Sequence, residues 1–339
     1  MSRTQSIALG NANEFPASVP AAAQSLLRSY MELGKARLSL MVVVTAAVGY
    51  FVASQTMEHT NWTRLWWTCL GTFLAAVGAS AFNQAIEAPR DARMPRTFKR
   101  PIPAGHISRT HAAFVGLIAS IIGVAILCPT SNGLAALLCT VNLLLYVLVY
   151  TPMKPYTTAN TLVGAIVGAI PPMLGWAAAV DRLDAGAWLL GAVLFAWQIP
   201  HFLALAWMYR ADYAKGGYKM LPVVEPSGRL TCLLAMLYSL VLLPLCVMLV
   251  VTGAAGWFFL AGSMMLGLGF FALTLKLAMD KTHANARKLF LGSVLYLPLL
   301  MAILVIDARG PLDGLQKAPA GYVAPSNDGS FQDPSLGSR

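Results

Sequence analysis

"LWWTCLGTFLAAVGASAFNQAIEAPRDARMPRTFKRP", residues 65 to 101, holds two opposite kinds of sequence back to back. No residue from Leu65 to Ile86 is charged, and then two acids and five cations crowd into residues 87 to 101. As a helix rising 1.5 Å per residue, the uncharged run measures about 33 Å, enough to cross the roughly 30 Å hydrocarbon core of a bilayer. Inside lipid every backbone polar group must be satisfied within the structure, and a single run of this length does so as an α-helix.

The rest of the chain repeats the pattern. Its 339 residues are 57% hydrophobic and 11% charged, with a mean hydropathy of +0.64. Soluble domains carry about 25% charged residues, so this is the composition of a membrane protein. Runs of spanning length fall at about 38–55, 65–86, 110–128, 133–150, 160–179, 186–207, 230–252, 256–275 and 289–306. They are too long for barrel strands. The expected fold is all-α, a polytopic integral membrane protein of nine helices.

Charge placement orients the chain. Of its 24 Lys and Arg, 19 lie before residue 38, in 87–109, at Lys154, in 208–229 and in 276–288, segments that alternating spans bring to one side. The positive-inside rule puts that side, with the N-terminus, in the cytoplasm and the C-terminal end outside. The same placement explains the net charge of +10: cations flanking helices meet the headgroups of the lipid bilayer, and no nucleic acid partner is expected.

Cys69, Cys128, Cys139, Cys232 and Cys246 all lie in apolar runs without a C-x-x-C pair, which argues against a disulfide framework or zinc site and for small core residues. Residues 1–32 lack the apolar core of a secretory signal. With Glu14, two prolines and only Arg3 and Arg28, they also lack the Arg-rich, acid-poor character of a mitochondrial transit peptide. A bacterial inner membrane is the expected location, ahead of a mitochondrial one. The chain divides into an inner tail (1–32), a membrane domain (33–306) and an outer C-terminal tail (307–339), whose Gly, Pro, Ser and Asp content reads as disordered.

Asn83, Glu87 and Asp91 are spaced i, i+4, i+8 and on a helix would offer a column of oxygen ligands. Pro89 leaves open whether Asp91 belongs to that helix or to the loop after it. Charges just outside a span are ordinarily a solvated helix end. Here the signs are mixed, and Asn83 and Glu87 at the apolar boundary are costly without partners. A second acidic site, "MYRADYAKGGYKMLPV" at 208–223, follows the sixth span and carries Asp212 and Tyr213 with Lys215 and Lys219. Hard oxygens suit Mg²⁺, which bridges to substrate phosphates, while interleaved cations, among them Arg90, Arg93, Arg96 and Arg100, suit phosphate oxygens. Tyr150 and Lys154, one helical turn apart at the end of the fourth span, put another ammonium on this side, although a lone Lys at a helix end commonly snorkels. Together the features describe a diphosphate site at a membrane surface.

The stretches "AFNQAIEAPRDARMPRTFKRP", "YTPMKPYTTANTLVGAIVGAIPPMLGW" and "WQIPHFLALAWMYRADYAKGGYKMLPV" resemble the UbiA superfamily of intramembrane prenyltransferases over about residues 33 to 306, and within it the branch that acts on heme. The resemblance implies a nine-helix bundle around a central cavity, Mg²⁺, farnesyl diphosphate and heme b as reactants, heme O and diphosphate as products, and heme A synthase or cytochrome oxidase assembly factors as partners. By this resemblance Asn83, Glu87 and Asp91 match the first metal-diphosphate motif and Asp212 the first acid of the second. Three positions depart from the family pattern. Glu87 stands where many members have Asp, Gly216 occupies the place of the later second-motif acid, and Pro155 stands where Arg is usual, which leaves Arg96 and Arg100 as candidate replacements.

A cation released from farnesyl diphosphate needs dry walls, and Trp176, Tyr146 or Trp197 are candidate aromatic faces, each equally at home in a core. His201, inside the sixth span, is either an axial ligand to heme iron or polar glue between helices. Three classes fit the residues alone: a prenyltransferase of this or another isoprenoid acceptor, a transporter, and a noncatalytic heme-handling factor. A transporter favours acids at the midplane, whereas these lie at the boundary. The topology predicts that, in intact cells, an impermeant thiol reagent labels a cysteine placed at Ser326 but not one placed at Ser108; equal labelling contradicts it.

Overall fold

The computed structural model describes residues 26–57 and 59–308; most of the two expected tails lies outside the described residues. A short helix α1 (Leu26–Leu33) forms in the last part of the segment expected as the inner tail. Among the described residues nine helices are long and apolar enough to cross a membrane. They are α2 (Ala36–Ser54), α3 (Trp62–Asp91), α4 (Arg109–Thr130), α5 (Gly133–Met153), α6 (Asn160–Val180), α7 (Ala185–Met208), α10 (Arg229–Val251), α11 (Trp257–Met279) and α12 (His283–Ile306). Two short helices, α8 (Arg210–Lys215) and α9 (Leu221–Val224), lie between α7 and α10. The all-α expectation holds, and the ends differ from the apolar runs where a polar cap extends a helix past the lipid. Thr282, for example, caps α12 by accepting from the Asn285 amide at 3.3 Å, so that the helix begins at His283, six residues before the expected start at 289. Asn61, Ser108 and Asn132 cap α3, α4 and α5 in the same way.

Helix α3 also settles the question raised by Pro89, because it runs unbroken to Asp91. A proline inside a helix leaves the carbonyl four residues earlier without its donor. Here that carbonyl, Ala85 O, accepts instead from Arg109 Nε at 2.6 Å. Asn83, Glu87 and Asp91 therefore share one helix face, and all three are buried.

Helix α6 is the most enclosed of the nine, packed against α2, α5 and α7, while α7 carries α10 and α12, and α11 bridges those two. The α2–α6 crossing brings backbone onto backbone. A Cβ on Gly175 would overlap the Ala46 carbonyl, and one on Gly49 would overlap that of Pro172. The outer faces are apolar at helical spacing: Phe114, Leu117, Ile118 and Ile121 on α4, and Leu233, Leu237 and Leu240 on α10, are exposed where lipid covers them. Of the five cysteines three are buried, whereas Cys69 is half-buried and Cys128 lies exposed on α4, so the expectation of core placement fails for Cys128.

Because the obstacle at Gly175 is backbone, which cannot rotate away, Gly175→Ala is expected to destabilise the bundle by about 1–3 kcal/mol. A thermal unfolding midpoint of the detergent-solubilised variant equal to the parent's contradicts this packing.

Candidate active site

The ends of α3 and α5, the start of α2, the loop after α3, and α8 with the loop after it meet at one end of the bundle, around a cavity of about 120 Å³. Four cations line it, Lys35, Arg96, Arg100 and Lys154, facing only two carboxylates, Glu87 and Asp91. Tyr150, Tyr213, Tyr218, Met94 and Met220 complete the wall.

Each oxygen group of the α3 column has its own cation. Lys35 Nζ donates to Asn83 Oδ1 at 2.6 Å, Lys154 Nζ to Glu87 Oε1 at 2.7 Å, and Arg100 to Asp91 Oδ2 at 2.6 Å. Asn83 also donates to Thr151 Oγ1 at 3.1 Å, which braces α3 against α5. Lys35 reaches its partner from a left-handed backbone (φ 46°, ψ 52°) at the start of α2, a conformation that costs a non-glycine residue roughly 1–2 kcal/mol. Tyr150 lies in a π-helical turn, Leu145–Tyr150, just before Pro152, and its ring sits 4.4 Å from Lys154 Nζ.

The electrostatics follow from crowding and burial. Burial first, then the charge of Arg100, lowers the Lys35 ammonium to about 7 against the pull of Glu87. Burial acts on Lys154 in the same direction, but Glu87, with Tyr150 and Tyr146, outweighs it and holds that ammonium well above the ordinary lysine value. Arg100 is likewise raised, its burial outweighed by Asp91. Asp91 Oδ1 is buried and, among the described residues, has no hydrogen-bond partner. An orphaned carboxylate oxygen beside a second carboxylate is the donor chemistry of a hard divalent cation, so the residues present fit Mg²⁺.

The expected residues divide into those inside and outside this cavity. Glu87, Asp91, Arg96, Arg100, Tyr150, Lys154 and Tyr213 line it, with Asn83 directly behind Lys35. Arg96 stacks over Tyr209 at 4.6 Å and donates to Tyr213 Oη at 3.3 Å. Asp212 is half-buried on α8 and does not line the cavity. Among the described residues no three acids, histidines or cysteines gather as a metal cluster, so the second loop contributes Arg-bound Tyr213 here rather than an acid. Arg90 is half-buried off the lining, and Arg93 and Lys215 are exposed.

His201 is elsewhere. Its Nδ1 pairs with Ser293 Oγ at 2.7 Å and its ring stacks between Trp197 and Phe290, the geometry of polar glue between α7 and α12. Trp197 Nε1 donates to Ser293 O, and Trp176 and Tyr146 also lie off the lining.

Lys35, Tyr218, Met94 and Met220 were not anticipated. Lys35 follows Gly34 directly before a span, a signal that reads as a snorkelling anchor until its partner is known; the other three carry no local signal.

The pattern of the UbiA prenyltransferase family matches residues 42–299. The chain is 42% identical over 282 residues to the protoheme IX farnesyltransferase of Salinibacter ruber, covering 83% of this chain and 99% of that one. It is 42% identical to the mitochondrial protoheme IX farnesyltransferase of Arabidopsis thaliana over 82% of this chain and 64% of that one. In fold it resembles a solved digeranylgeranylglyceryl phosphate synthase, with a TM-score of 0.70 at 15% identity over 83% of this chain and 98% of that one. It also resembles a UbiA homolog from Archaeoglobus fulgidus solved with GPP and Mg²⁺, with a TM-score of 0.55 at 14% identity over 81% and 99%.

Removing one partner of a buried ion pair strands the other charge. Lys154→Met is therefore expected to destabilise the protein by about 3 kcal/mol, and adding Glu87→Gln to recover most of that loss. Unfolding midpoints of the single and double variants measure it, and a double variant no more stable than Lys154→Met contradicts the pairing.

Proposed function

The chain belongs to the UbiA prenyltransferase family, and we propose that it transfers the farnesyl group of farnesyl diphosphate to a vinyl group of heme b, with water addition, to give heme O. The observation that carries the reading is the cavity itself, in which four cations face two carboxylates at the end of a multi-pass bundle. Such a surplus suits a diphosphate anion, and the identity to protoheme IX farnesyltransferases across nearly their whole bacterial length supports the acceptor.

On this reading Glu87 and Asp91 hold Mg²⁺, Asn83 completes the column behind Lys35, and Asp212, off the cavity lining, would have to swing in with its loop to add an acid. Bound there, the ion would neutralise charge on the leaving diphosphate, the electrostatic contribution that is commonly the largest in such a reaction. Lys154, Lys35, Arg96 and Arg100 bind the diphosphate oxygens and strengthen their hold as the allylic carbon–oxygen bond breaks and both electrons leave with the diphosphate. Arg96 and Arg100 supply the cation that Pro155 does not.

Tyr150, Met94 and Met220 form the wall that keeps water from the allylic cation. A vinyl carbon of heme b bonds to that cation, and water captures the charge left on the neighbouring carbon as a hydroxyl, releasing a proton. We place the enzyme in a bacterial inner membrane with the cavity end and N-terminus cytoplasmic, handing its product to heme A synthase or oxidase assembly factors.

Asp91 has one oxygen bound by Arg100 and one free for a metal. Asp91→Asn is expected to lower diphosphate release from farnesyl diphosphate and heme b by about a hundredfold or more per folded molecule, the folded fraction being measured alongside because Arg100 loses its partner, and EDTA to abolish it. Turnover of the purified enzyme unaffected by EDTA sinks the metal-dependent reading.

A further inference from the structure

One hydroxyl in the cavity has nothing to bind. Tyr218 is 4% exposed, lines the cavity among the four cations, and its Oη is a buried atom that has no hydrogen-bond partner among the described residues. A buried hydroxyl left unpaired costs about 1–3 kcal/mol, so its placement calls for a partner that arrives later.

The segment around it is held firmly. Gly217 turns the chain with φ +72°, the Tyr218 amide donates to Tyr213 O at 2.9 Å, and the Lys219 amide donates to Lys154 O at 2.9 Å. Tyr218 is thereby tied to the residue that holds Glu87.

The neighbouring Gly216 explains why a tyrosine is found here. It stands at the spacing of the family's later second-motif acid, and a Cβ there would meet Met94 Sδ at 2.8 Å and the Tyr218 ring at 3.1 Å, so a side chain at this position requires Met94 to shift. The Tyr218 ring lies directly beside that position. What the second loop offers at this point is a neutral donor, and burial pushes the phenol further up from its ordinary value, so it keeps its proton. A protonated phenol among cations can donate to an anion's oxygen.

We propose that Tyr218 is a substrate-binding residue whose hydroxyl donates directly to an oxygen of the diphosphate group, taking over at the second loop the place of an absent metal-ligating acid. The inference rests on the diphosphate reading above and goes beyond it by assigning a residue outside both acidic motifs. Hydrogen bonds to charged groups are among the stronger ones, so loss of the hydroxyl weakens diphosphate binding about tenfold or more.

The test is calorimetric binding of inorganic pyrophosphate, with magnesium chloride, to the full chain in detergent. Tyr218→Phe is expected to raise the pyrophosphate Kd about tenfold with the thermal midpoint of the unliganded protein no lower than the parent's, while Tyr296→Phe, which removes a buried hydroxyl on α12 outside the cavity, leaves the Kd as in the parent. Tyr218→Leu gives a second reading should the Phe variant fail to accumulate. A parent that binds pyrophosphate and a Tyr218→Phe that binds it equally well overturn the assignment of Tyr218 alone. A parent that does not bind pyrophosphate at all overturns the diphosphate reading, and this inference with it.

Discussion

The carboxylates of Glu87 and Asp91 are buried at the end of a membrane helix, at 6% and 1% exposure. Ionised groups removed from water to this extent are tolerated only with charged partners. That requirement organises the whole end of the bundle. It draws Lys154 in from the end of α5, Arg100 back from the loop after α3, and Lys35, through Asn83, from the start of α2. The left-handed backbone at Lys35 and the ordered loop from 92 to 108 are local costs that these contacts offset.

The pairing leaves an imbalance that is itself functional. Four cations answer two carboxylates, so the resting cavity is electropositive and one oxygen of Asp91 remains unused. On the proposed reading a diphosphate with a hard cation would answer this imbalance, its oxygens meeting the ammonium and guanidinium groups and the metal meeting the carboxylates. The apolar bundle contributes geometry. Its α2–α6 crossing, closed to backbone contact at Gly175 and Gly49, fixes where α2 begins and so where Lys35 stands relative to α3.

Much of this was legible in the sequence, for identifiable reasons. Spans and caps are written locally in apolar runs and in residues such as Ser108 and Asn132, so the nine helices followed directly. The i, i+4, i+8 spacing of Asn83, Glu87 and Asp91 needs only one helix to become a column, and Arg109 secures that helix across Pro89. What remained hidden depends on chain segments distant in sequence. Lys35 meets Asn83 across 48 residues, and Arg109 meets Ala85 through a loop whose path spacing does not encode. Asp212 was grouped with Glu87 and Asp91 because it follows an inner helix end; the sequence does not reveal that α8 turns Tyr213 and the following loop turns Tyr218 toward the cavity, without Asp212.

The proposed product, heme O, rests on the family membership and on the names of the relatives, while the ion pairs and surplus cations bear only on the diphosphate. Mass spectrometry of heme extracted from bacterial membranes expressing the chain tests it most directly. A heme heavier than heme b by one farnesyl group and one hydroxyl, present with the parent chain and missing with Asp91→Asn, is the predicted result. Unmodified heme b alone, from membranes in which the parent chain is folded and farnesyl diphosphate is present, contradicts it.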